Sequence, residues 1–79
     1  MGRLTPRSTR DMEKLLRHFG YRRVRREGGH DFWTRDNDGR TVSLPAAKRA
    51  GTIPVGTVKG VLDDAGISRE DALRFWGTE

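Results

Sequence analysis

The 79-residue chain has no cysteine, only three prolines, and six aromatic residues: three Phe, two Trp and one Tyr. Without thiols, no disulfide can staple a small fold and no thiolate metal site can form. The two histidines, His18 and His30, have no carboxylate pair nearby, which argues against a catalytic metal centre, and no cofactor is expected. No apolar run approaches the roughly 20 residues that span a bilayer. The opening MGRLTPRSTR is basic but lacks the apolar segment of a signal peptide. The expectation is a cytoplasmic protein with no membrane partner.

Charged residues, at 34%, match hydrophobic ones, at 33%. A chain this short fits one domain spanning 1–79 with a compact core, because small domains bury only about 60% of their unfolded surface. The formal charge of +5 is unevenly spread. Residues 1–26 carry nine Lys and Arg against Asp11 and Glu13, a net +7, while residues 27–79 are net −2. Basicity concentrated in one third of the chain points to a polyanion, with nucleic acid ahead of a membrane surface.

Residues 1–7 read as a flexible basic arm. Ser8 is a good N-cap, and Met12, Leu15, Leu16 and Phe19 fall at i, i+3, i+4 and i+7, which predicts a helix over 8–19 ended by Gly20. YRRVRRE (21–27), HDFWTR (30–35) and RTVSLP (40–45) read as strands, separated by Gly28-Gly29 and by the turn DNDG (36–39). Residues 46–53 form a loop carrying Lys48-Arg49. Pro54 then opens a helix with Val55, Val58, Val61, Leu62 and Ala65 as its apolar stripe, and Gly66 stops it. Ser68 caps a short last helix in which Leu73, Phe75 and Trp76 can be buried. The predicted class is α+β, in the order α-β-β-β-α plus a short C-terminal helix. Its three-stranded antiparallel sheet carries helices on one face and is open on the other.

The stretch EGGHDFW, residues 27–33, holds the chemistry. Strand alternation puts His30, Phe32 and Thr34 on one side and Asp31, Trp33 and Arg35 on the other, so Asp31 is badly placed to orient His30. Alternation does not say which side is core. Trp33 has more apolar area, so Trp33 is expected inside, with Phe32 and His30 on the open face, and the opposite sign puts His30 at the core edge. On an open face Phe32 can stack on a base, and His30 can act as general acid or base on RNA, whose 2′-hydroxyl is a built-in nucleophile. Gly28 and Gly29 would let a substrate backbone approach closely. Taken alone, the heptapeptide fits a turn followed by an ordinary surface histidine better. His18, in the last turn of the first helix, reads as a solvated side chain suited to the helix C-terminus.

The ordered pieces Gly20-Tyr21, Val24-Arg25, Gly28-Gly29-His30, Val42 and Pro45, and above all IPVGTVKGVLDDAGIS at 53–68, resemble HicA-type toxins, also called the YcfA-like family. The resemblance runs from residue 8 to about 68. It implies a fold like the double-stranded-RNA-binding domain and an endoribonuclease that cleaves messenger RNA and is neutralised by a HicB-type antitoxin. The histidine of the family's Gly-Ser-His motif falls on His30, which becomes the candidate catalytic residue. Two positions depart from the family pattern: Gly29 stands where serine is usual, and Ala46-Ala47 follow Pro45 where many members have a further histidine.

The expected activity is therefore a metal-independent ribonuclease of a toxin–antitoxin pair. Candidate RNA contacts are Gly28, Gly29, Arg25, Arg26, Phe32, Lys48, Arg49 and Lys59. The competing expectation is a noncatalytic RNA-binding module, because the same scaffold serves binders. A third is a protein-interaction domain whose basic surface takes an acidic partner.

Overall fold

A computed structural model describes residues 3–46 and 51–77. Its elements, in chain order, are β1 (Arg7–Ser8), α1 (Thr9–His18), β2 (Tyr21–Glu27), β3 (His30–Arg35), β4 (Arg40–Pro45), β5 (Thr52–Ile53), α2 (Val55–Ala65) and α3 (Arg69–Trp76). The main sheet is an antiparallel meander, β2-β3-β4, as the β-forming runs and the turn signals between them predict. This is the α+β, double-stranded-RNA-binding-domain-like arrangement, with the helical core on one face of the sheet.

The helix ends follow from local chemistry. Ser8 Oγ accepts from the Asp11 N–H at 3.0 Å, and Ser68 Oγ accepts from the Asp71 N–H at 3.0 Å, each satisfying an otherwise orphaned helix donor. Pro54 is the N-cap of α2 and so sits one residue before the expected first turn. At the other end Gly66 closes α2 at φ 69°, a left-handed conformation that glycine adopts without strain. Two arginines finish the helix C-termini from the sheet. Arg35 donates to the Phe19 carbonyl at 3.4 Å, and Arg40 to the Asp64 carbonyl at 3.0 Å.

The core lies between the sheet and the helices. Met12, Leu15 and Leu16 from α1 and Val58, Val61, Leu62 and Ala65 from α2 cover Tyr21, Trp33, Val42 and Leu44. Tyr21 ties the layers together through its hydroxyl, which donates to the Ala65 carbonyl at 2.8 Å. Phe75 is exposed and stacks against the likewise exposed His18, ring centroids 4.6 Å apart. Trp76 packs at the edge of the core and donates to the Asp11 carbonyl at 3.3 Å.

Besides Phe75, expected to be buried but exposed, and the one-residue shift at Pro54, the structure departs from the sequence reading at three places. The arm expected to be flexible over 1–7 ends in an ordered strand: Arg7 and Ser8 pair with Ile53 and Thr52, and Leu4 packs on the core. The expected loop 46–53 correspondingly contains β5. The third departure is inside β2. The register shifts between Arg23 and Arg25, so Val24 is an extra, exposed residue in a β-bulge. A bulge resets the alternation of everything that follows it.

Candidate functional site

Each hairpin of the meander is set by its turn. The β2–β3 loop is Gly28-Gly29, with φ of 57° and 83°, the mirror-image turn whose twist matches the flanking strands. A two-residue loop makes Glu27 and His30 direct cross-strand partners. The Gly29 carbonyl accepts from the Ala46 N–H at 2.8 Å, which extends the pairing of this corner past the end of β4. A Cβ on Gly29 would meet nothing within 4 Å, so a serine there would have room. Its cost would come from the left-handed backbone, about 1–2 kcal/mol.

Trp33 is fully buried on the helical side, and His30 is exposed on the opposite face, as the larger apolar area of Trp33 leads one to expect. Cross-strand pairing fills that open face. Its β2 side chains are Arg22, Arg25 and Glu27, opposite Thr34, Phe32 and His30 of β3. On the β4 side Thr41, Ser43 and Pro45 take the same three places. The Thr34 and Thr41 hydroxyls lie 3.2 Å apart. The Arg25 guanidinium sits 4.3 Å from the centre of the Phe32 ring, a cation–π stack that leaves Phe32 half-buried beside His30. Arg25 also donates to Glu27 Oε1 at 2.7 Å. At the far end Arg22 makes a two-pronged pair with Asp36, both contacts at 3.2 Å. Among the described residues, both arginines of the open face thus already hold a carboxylate, and the face is less positive than the run of arginines in β2 suggests.

The bulge divides that run. Adjacent in sequence, Arg25 and Arg26 point to opposite faces. Arg26 pairs with Asp31 at 2.6 Å and Arg23 with the same carboxylate at 3.5 Å, on the helical side. Asp31 is fully buried, so it serves as the anchor of β2 and not as a partner for His30. A shallow cleft of about 300 Å³ follows the bulge, lined by Arg23, Val24, Arg25 and Arg26.

Arg26's hydrogen bonds hold the Asp31 carboxyl below the usual aspartate range; burial opposes this, and the charges of Arg26 and Arg23 reinforce it. Asp38, bonded by Arg35 and then by the Arg40 backbone N–H, is pushed down to about 2. A depressed carboxyl stabilises the fold above its unfolded value, about 3.9, and that contribution is lost as pH falls through the folded value. The melting temperature should therefore drop on acidification below about pH 4. Asp31→Asn should flatten that drop without abolishing it, since Asp38 remains. At neutral pH the same variant should lose about 1–2 kcal/mol, because the two arginines are half exposed and regain water. Thermal melts from pH 2 to 7 measure both effects.

Among the candidate RNA contacts, Gly28, Gly29, Arg25 and Phe32 gather around His30. Arg26 faces away from it. Lys59 is on α2, in the helical layer, and pairs with Asp63 at 3.1 Å. Lys48 and Arg49 lie outside the described residues. The sequence reading passed over Glu27 and Ser43, and counting outward from the two-residue Gly-Gly turn is the signal that finds Glu27. Among the described residues, no three His, Cys, Asp or Glu side chains converge as a metal site, and no helix is long and apolar enough to cross a membrane.

No curated protein matches the chain by sequence. The family model of the HicA toxin of bacterial toxin–antitoxin systems matches residues 9–67, a span that runs from α1 through the whole meander to the end of α2 and includes His30. Helix, meander and closing helix are thus covered in one stretch, and the chain belongs to the HicA toxin family of bacterial toxin–antitoxin systems.

Proposed function

We propose that this toxin is a metal-independent endoribonuclease that cleaves messenger RNA, acting in the cytoplasm and neutralised by a HicB-type antitoxin. The observation that carries the reading is the position of His30, exposed on the open sheet face beside the Arg25–Phe32 stack, within the span shared with the family. His30 takes the 2′-hydroxyl proton as the 2′-oxygen bonds to phosphorus, or protonates the 5′-oxygen as its bond to phosphorus breaks. Water serves the other transfer. Either role leaves a 2′,3′-cyclic phosphate and a 5′-hydroxyl. Histidine suits both, because its ordinary pKa lies near neutrality.

Phe32 supplies a stacking platform, and Arg25 a cation for the phosphate. Gly28 and Gly29 leave the hairpin tip bare, so the RNA backbone can come close to His30. Arg26 can join only along a path around the β2 edge, and Lys59 only on a path over the helical layer. Lys48 and Arg49, outside the described residues, remain candidates. Phe32→Ala should weaken binding of a single-stranded RNA by about 1–3 kcal/mol, or roughly 5- to 150-fold in Kd. Fluorescence anisotropy reads this directly, with Lys59→Ala as the comparison for a residue on the other side of the sheet.

The test of the function is cleavage itself. Purified protein is incubated with a messenger RNA, and the product ends are identified for the wild type and for His30→Ala. Cleavage by the wild type that is lost in the variant supports the reading. A wild type that binds RNA and leaves it intact would instead identify a noncatalytic RNA-binding module.

A further inference from the structure

Only one carboxylate among the described residues shares the open face with His30 at its own end of the sheet. Asp31 is buried on the other face, held by Arg26 and Arg23. Asp36 is engaged by Arg22 at the opposite end. Glu27 is the direct cross-strand partner of His30 across the two-residue turn. Paired residues of an antiparallel ladder have Cβ atoms about 5 Å apart on the same face, within reach of a glutamate and an imidazole. In the free protein the Glu27 carboxylate is occupied, accepting from Arg25 at 2.7 Å, and Arg25 lies over Phe32. Of the described arginines on the open face, Arg25 is the one at the His30 end of the sheet.

We propose that Glu27 is the positioning residue for His30 and that substrate switches it into place. This rests on His30 being the acid or base of RNA cleavage. An RNA phosphate takes over the Arg25 guanidinium. The released Glu27 carboxylate turns across the strand pair and accepts a hydrogen bond from one imidazole nitrogen of His30. That bond fixes the ring and its tautomer and leaves the other nitrogen for the proton transfer, the arrangement by which a carboxylate orients a catalytic histidine elsewhere. The Arg25–Glu27 pair thereby keeps the carboxylate off His30 until RNA is bound. No bond other than these hydrogen bonds changes in the switch, and the cleavage step is the one given above.

The test uses the full chain and a fluorophore-labelled single-stranded RNA that the wild type cleaves. Wild type, Glu27→Gln, Glu27→Asp, His30→Ala and the double variant Glu27→Gln/His30→Ala are compared for kcat and KM. Glu27 is mostly exposed, so melting curves should be unchanged and loss of fold is not a confounder. Glu27→Gln should lower kcat by roughly 10- to 100-fold, as loss of a group that orients a metal-bound histidine typically does, while KM should stay level or fall, since RNA no longer displaces a carboxylate from Arg25. Glu27→Asp should recover part of the loss. In the His30→Ala background, Glu27→Gln should cost nothing further. The proposal is overturned if Glu27→Gln keeps the wild-type kcat, if it changes KM alone, or if it slows the His30→Ala protein by the same factor. If His30→Ala cleaves as fast as the wild type, or the wild type does not cleave at all, the ribonuclease reading itself has failed and the role of Glu27 falls with it.

Discussion

Alanine at position 30 is expected to slow RNA cleavage by about 10²–10⁴-fold, the usual contribution of one positioned general acid or base. The fold should be untouched. The His30 side chain is exposed and makes no hydrogen bond with a described residue, so the substitution removes no packing and orphans no donor. RNA affinity should also survive, since Arg25 and Phe32 stay stacked beside the vacated position. The variant should thus bind like the wild type, melt like the wild type and fail in the chemical step. Single-turnover cleavage with enzyme in excess separates these properties, because it reads the chemical rate without product release. Growth follows from the same rate: induced in a bacterium, the wild type should arrest division and the variant should not. Arrest by both proteins would assign the toxicity to a group other than His30.

How much of this was legible depends on how local each signal is. α1 is set by a stripe at helical spacing and a serine cap, and it appears within one residue of where those place it. The meander is legible for the same reason: its turns are a glycine pair and an Asp-Gly, and the short runs between them are rich in β-forming residues. The burial of Trp33 with Phe32 outside follows from comparing two ring sizes. What escaped the reading is non-local or leaves no mark in side-chain type. The two-residue pairing of β1 with β5 joins positions more than forty residues apart, and neither Arg7–Ser8 nor Thr52–Ile53 has a composition that announces it. The bulge at Val24 lies in a run of arginines, where a shift of one residue exchanges like for like. For that reason Arg25 and Arg26 could not be assigned to faces in advance, and the arginine partners of Asp31, which alternation already places on the Trp33 side, were hidden with them. The carboxylate next in sequence to His30 is structural, and the one three residues before it faces the site.

Trp33→Ala is expected to remove about 3–5 kcal/mol of stability, the cost of a large cavity in a packed core. A domain of this size has roughly 4–12 kcal/mol in total, at 0.05–0.15 kcal/mol per residue, so the variant should be partly or wholly unfolded at 37 °C. Trp33 is fully buried at the centre of β3, with Arg23 and Val42 as its cross-strand neighbours. The Arg17 guanidinium lies 5.1 Å from its ring centre, so part of α1's hold on the sheet goes with the indole. Trp33→Phe should behave differently. The indole Nε1 is buried without a hydrogen-bond partner among the described residues, a defect worth about 1–3 kcal/mol that phenylalanine does not carry. Phenylalanine loses volume but removes the orphaned N–H, and the two effects oppose each other. Urea denaturation of the three proteins should place Trp33→Phe within about 1–2 kcal/mol of the wild type and Trp33→Ala far below both. A Trp33→Phe loss well beyond that range would mean that the indole N–H is satisfied in solution and that its removal offsets nothing. The open face, with His30 on the far side of the sheet, is built on this one ring: strand β3 holds its register because Trp33 cannot turn outward, and His30 therefore cannot turn in.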